Sequence, residues 1–136
     1  MQAVCVWCGV SDFMTIDKAP GAIKVDQPDG VVARLFGGPM SQKLALAKQA
    51  SPITYINKDN PPFLLMHGEK DTTIPASQSE ALFAALTKAG VPAKFVPFKD
   101  TGHPIDRPDR RKVVYEFFNE VLKKDKGGGP ASRPES

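Results

Sequence analysis

Short unbroken apolar runs alternate along the chain with stretches whose apolar positions recur at helical spacing. Ala3-Val4-Cys5-Val6-Trp7 is one such run, ended by Gly9 and Ser11-Asp12; Phe63-Leu64-Leu65-Met66-His67 is another, bounded by Pro62 and Gly68. Apolar runs without polar alternation fit strands covered on both faces, as in a parallel sheet flanked by helices. Ala93 to Phe98 predicts a third strand, and Pro97, which donates nothing to a ladder, argues for an edge or an early end.

Helical periodicity is strongest near the C-terminus. Pro108 and Asp109 supply start signals, and Val113, Val114, Phe117, Phe118, Val121 and Leu122 then form one apolar stripe. A second helix is predicted from Ser77 to Lys88, with Leu82, Phe83 and Leu86 on one side and Gly90 placed to stop it. Between the first two strands, Pro20 to Gly38 reads mostly as loop, with Val31 to Phe36 forming a brief helix or a packed turn. Ser41 is then expected to cap a helix over Gln42 to Gln49 that buries Leu44, Leu46 and Ala47, before Ser51-Pro52 breaks it. Asn57 to Pro62 and Glu69 to Pro75 are polar connections, and Lys123 to Ser136, with Gly127-Gly128-Gly129-Pro130, has little to bury and reads as a flexible tail. The order strand, helical excursion, strand, helix, strand, helix predicts an α/β fold over residues 1–122, with crossovers returning to a mostly parallel sheet.

Composition narrows the partners more than the fold. At 136 residues and 41% hydrophobic the chain can bury a core, and its 18 Lys and Arg exceed its 15 Asp and Glu by only three. Much of that excess sits in the tail, with neither a basic stripe nor a stacking module beside it, so no nucleic-acid partner is expected. No apolar stretch approaches the roughly 18 residues of a membrane-crossing helix, and the opening residues lack a signal-peptide pattern, so a soluble chain without a membrane partner is expected; its compartment stays open. Cys5 and Cys8 form C-x-x-C, but on a strand residues three apart face opposite sides, so they read as two packed thiols. Neither a second Cys or His pair nor a cofactor motif accompanies them, and no metal or cofactor is expected.

Asp71 and His103 carry the candidate chemistry. Each follows a predicted strand, one crossover apart, so both arise at the carboxyl end of the sheet, where open α/β folds gather ligands. A buried carboxylate there can fix the tautomer of an imidazole whose other nitrogen faces a nucleophile or water. The plainer alternatives are a turn-capping Asp71 and an ordinary loop His103. His67 reads as a structural histidine, and Asp12 as a loop anchor or a pocket-lining carboxylate.

Gln2 to Phe13, Ala50 to Ile56 and Pro62 to Pro75, with its His67-Gly68-Glu69-Lys70-Asp71, resemble the α/β-hydrolase superfamily. The likeness continues through Gln78-Ser79-Glu80, Lys88 to Pro92 and Gly102-His103, and is greatest to its esterase and lipase branch, near feruloyl and acetyl esterases and prolyl oligopeptidase catalytic domains. The resemblance implies that Asp71 orients His103 and that His103 activates a serine. It also implies a Gly-x-Ser-x-Gly elbow and a His-Gly-Gly oxyanion segment upstream of Ala3, neither of which this sequence contains. Pro104 and Cys8 depart from the residues common in the family.

The sequence therefore predicts the C-terminal part of a serine hydrolase, a carboxylic-ester hydrolase in its complete form, acting on a small ester substrate and inactive alone. A catalytically silent α/β module, self-associating or paired with an N-terminal half, is one alternative. A peptidase of prolyl oligopeptidase type is the other.

Overall fold

The computed structural model describes residues 1–103, 105 and 107–124; the predicted tail from 125 onward and Pro104 lie outside the described residues. Strand β1 (Val4–Trp7) leads into an excursion holding α1 (Val31–Phe36), a 3-10 turn (Met40–Gln42), α2 (Leu44–Gln49) and a second 3-10 turn (Pro52–Tyr55). Strand β2 (Phe63–Gly68), α3 (Ser77–Lys88), β3 (Ala93–Phe98) and α4 (Pro108–Lys124) follow. The three strands form a parallel sheet in the order β1-β2-β3, so the most apolar run is central and the proline-bearing strand lies at an edge.

Register sorts the apolar side chains into two rows. Trp7, Met66 and Val96 are aligned partners and pack with α4 residues Val113, Val114, Phe117, Phe118 and Val121. Val6, Leu65 and Phe95 are the next row, and they pack with Leu82, Phe83 and Leu86 of α3. Successive strand residues point to opposite faces, so each helix covers one face and Leu64, Leu65 and Met66 become fully buried.

Helix α3 ends where its glycine predicts. Gly90 takes the left-handed φ of +75°, and its N–H donates to Thr87 O (3.0 Å) while Val91 N–H donates to Leu86 O (2.9 Å). This left-handed closure satisfies carbonyls that the last turn would otherwise leave open.

The excursion has its own small core of Phe13, Ile16, Val25, Val32, Phe36, Met40 and Ala47, with Phe13 and Phe36 edge to face at 5.0 Å. Here two expectations fail. Ser41 does not cap α2, because it lies inside the 3-10 turn and offers its backbone N–H to Asp26 Oδ1 (2.7 Å). Of the three residues expected to be buried in α2, only Ala47 is; Leu44 and Leu46 are exposed because this six-residue helix touches the core at a single small side chain. Leu122 likewise falls at the exposed margin of the α4 stripe.

Cys8 also departs from expectation. It lies one residue past β1 with φ at +47°, so strand alternation no longer governs it, and it packs in the same cluster as Cys5 rather than across the sheet. Both remain free thiols.

Candidate active site

Asp71 is held by the loop that follows β2. Its N–H donates to Gly68 O (3.1 Å), and its Oδ1 accepts from the backbone N–H groups of Thr73 and Ile74, both at 2.9 Å. This is the turn-capping role the residue type suggests. The other oxygen is directed elsewhere. Oδ2 lies 2.8 Å from Nδ1 of His103, with the aspartate side chain fully buried and the imidazole 37% exposed.

The two loops are also joined through their backbones. Glu69 N–H donates to Phe98 O (3.1 Å) and Lys70 N–H to Thr101 O (2.9 Å), which fixes the loop after β3 against the loop after β2. A carboxylate only accepts, so Nδ1 carries the proton and Nε2 of the neutral ring keeps a free lone pair. Burial alone would raise the Asp71 carboxyl. The Ile74 amide, the His103 ring and the Thr73 amide outweigh it and hold the group below the usual carboxylate range. An ionised, immobile carboxylate behind a half-exposed imidazole is an arrangement able to stabilise imidazolium as it forms.

His67 is fully buried, with Nδ1 2.7 Å from Ser79 Oγ and Nε2 2.8 Å from Ile74 O. The carbonyl accepts, which places the proton on Nε2 and leaves Nδ1 to accept from the Ser79 hydroxyl. Nε2 also lies 3.3 Å from Asp71 Oδ2. Asp12 anchors its own turn, accepting from Met14 N–H (2.9 Å) and Thr15 Oγ1 (3.2 Å).

Sequence reasoning missed Cys8, Gln78 and Ser79 as neighbours of this region. The Cys8 thiol meets the Asp71 carboxylate and the Gly68 backbone; burial pushes it up, the Gly68 contact lowers it and the aspartate raises it further. Only its position one residue beyond a strand end signals such a role. Three of the serines are buried and otherwise engaged: Ser11 Oγ donates to Gln78 O (2.6 Å), Ser51 Oγ to Ala47 O (2.8 Å), and Ser79 Oγ bonds His67. A cavity of about 440 Å³ opens beside Pro62, Phe63, Pro92 and Ala93, at the amino ends of the strands and so at the opposite end of the sheet from Asp71 and His103. Among the described residues no helix is long and apolar enough to cross a membrane.

Comparison with known proteins agrees with this architecture. Esterase LipQ of Mycobacterium tuberculosis is 53% identical over 80 residues, which are 57% of this chain and 19% of LipQ. The acylamino-acid-releasing enzyme of Arabidopsis thaliana is 37% identical over 100 residues, 68% of this chain and 13% of that enzyme. A solved structure described as a truncated form of a carbohydrate esterase from gut microbiota superposes with a TM-score of 0.77 at 28% identity, covering 89% of this chain and 42% of that one. The chain thus spans less than half the length of each of these relatives. The BD-FAE family model matches residues 1–86, more than half of the chain. With its parallel sheet flanked by helices, the chain belongs to the BD-FAE family and has part of an α/β-hydrolase fold.

Proposed function

We propose that Asp71 and His103 are the orienting acid and the general base of a serine hydrolase that cleaves carboxylic esters. The observation that carries this reading is the 2.8 Å approach of His103 Nδ1 to a buried Asp71 oxygen at the carboxyl end of the sheet. In the reaction, His103 Nε2 takes the proton of the attacking serine hydroxyl and returns it to the departing alcohol, while Asp71 stabilises the intervening imidazolium. The serine and the oxyanion donors come from residues outside this sequence, which has no Gly-x-Ser-x-Gly. The likeness to LipQ and to a carbohydrate esterase supports an ester substrate.

A longer version joined to the upstream coding region, assayed on short-acyl esters beside its His103→Ala form, tests the assignment. Loss of at least a hundredfold in kcat is expected for the variant, the lower range for a general base. Equal turnover would remove His103 from the mechanism. The 136-residue chain alone is expected to be silent.

Amide cleavage is the second reading, favoured by the likeness to the acylamino-acid-releasing enzyme over 68% of the chain. The same acid and base serve either reaction, so paired ester and peptide substrates of one acyl group, assayed on the longer version, separate the two.

A further inference from the structure

We propose that Cys8, His67 and Asp71 together form a binding site for a thiophilic divalent cation, with Zn²⁺ the ion their chemistry fits. The fold brings one sulfur, one ring nitrogen and one carboxylate oxygen within 4.8 Å of one another, and all three residues are buried. They arrive from three places: just past β1, inside β2, and on the loop after β2. Zinc takes such mixed sulfur, nitrogen and oxygen donors in tetrahedral geometry at about 2.0 to 2.3 Å, which sets neighbouring donors roughly 3.3 to 3.7 Å apart. His67 Nε2 and Asp71 Oδ2, at 3.3 Å, already have that separation. The third donor needs to close by roughly 1 Å at most.

The surroundings suit the ion as well as the donors do. Binding at Nε2 requires the imidazole proton to sit on Nδ1, where Ser79 Oγ, 2.7 Å away, accepts it. A hydrogen-bonded second ring nitrogen is the usual support for a metal-bound histidine. Cys8 gives its thiol proton to solvent as the thiolate–metal bond forms, so the two positive charges of the ion meet one thiolate and one carboxylate, and the buried cluster is electrically neutral. The His103 ring stands 2.8 Å from Asp71 Oδ2, so an ion bound at that oxygen takes the place of this contact. The site needs only these three side chains and stands whether or not Asp71 and His103 act as an acid–base pair.

Cobalt titration of the reduced full chain tests the proposal, because a thiolate bound to Co²⁺ gives a near-ultraviolet charge-transfer band that no buried thiol gives alone. One ion per chain, displaced by Zn²⁺, is expected in the wild type and in Cys5→Ser, and at least a tenfold loss of affinity with disappearance of the band in Cys8→Ser. Circular dichroism of each variant establishes that it is folded. No band in the folded wild type, or a band that survives Cys8→Ser, overturns the site.

Discussion

Gln78 holds the backbone of Ser11 across 67 residues of sequence. Its Oε1 accepts from the N–H groups of Ser11 (3.0 Å) and Asp12 (2.8 Å), and Ser11 Oγ donates to its carbonyl at 2.6 Å. The pair ties the loop leaving β1 to the first turn of α3, and both residues are about 1% exposed. Gln78→Ala leaves one buried amide and one half-buried amide without an acceptor. The expected cost is about 2 to 4 kcal/mol, from the desolvation penalty of each stranded group. Urea denaturation should show a lower midpoint with an unchanged slope; a midpoint equal to wild type would mean that water replaces the side chain without loss.

Gly68 is a steric requirement of the candidate site. A Cβ at this position would overlap the carbonyl oxygens of Thr101 and Gly102, the backbone that delivers His103. Gly68→Ala should therefore move that loop, lengthen the His103–Asp71 contact and destabilise the chain by about 1 to 3 kcal/mol, the range for overpacking. Imidazole NMR of His103 is the direct readout. An unshifted ring in a stably folded Gly68→Ala chain would show the loop to be more yielding than its backbone bond from Lys70 to Thr101 implies.

Phe117 and Leu122 lie on one predicted stripe but should respond differently. Phe117 is 8% exposed and packs against Leu64, Met66 and Ile105, whereas Leu122 is 37% exposed. Phe117→Ala is expected to cost about 3 to 5 kcal/mol through the cavity it leaves. For Leu122→Ala a change within about 0.5 kcal/mol is expected, as for a surface site. Thermal denaturation of the two variants side by side settles the ranking.

Cys5 should be a slow nucleophile. Burial pushes its thiol up, and the Trp7 indole N–H, donating to Sγ at 3.1 Å, only partly offsets that. A raised value keeps the thiol protonated near neutrality, and the thiolate is the reacting species. In a Cys8→Ser background, alkylation followed by intact mass should rise with pH later than in a cysteine peptide, and unfolding in urea should remove the lag. A native profile matching the peptide would contradict the burial argument.

What could be read from the residues was whatever rests on local period and punctuation. The unbroken apolar run at Phe63–His67 specified a central strand, the spacing of Leu82 and Leu86 with Gly90 specified α3 and its end, and Pro97 marked β3 as an edge, all as the sheet order has it. Asp71 and His103 could be nominated because residues just after parallel strands share one rim of the sheet. Tertiary structure decided what depends on register and on pairing between distant polar groups. Leu44 and Leu46 face solvent because the excursion core meets α2 only at Ala47, and Ser41 is engaged by Asp26 instead of starting a helix. Cys8 meets Asp71, and Gln78 meets Ser11, only once parallel pairing has set the strand ends beside one another. A hydrophobic period is written in neighbouring residues, whereas the partner of a buried polar atom is chosen by the whole fold.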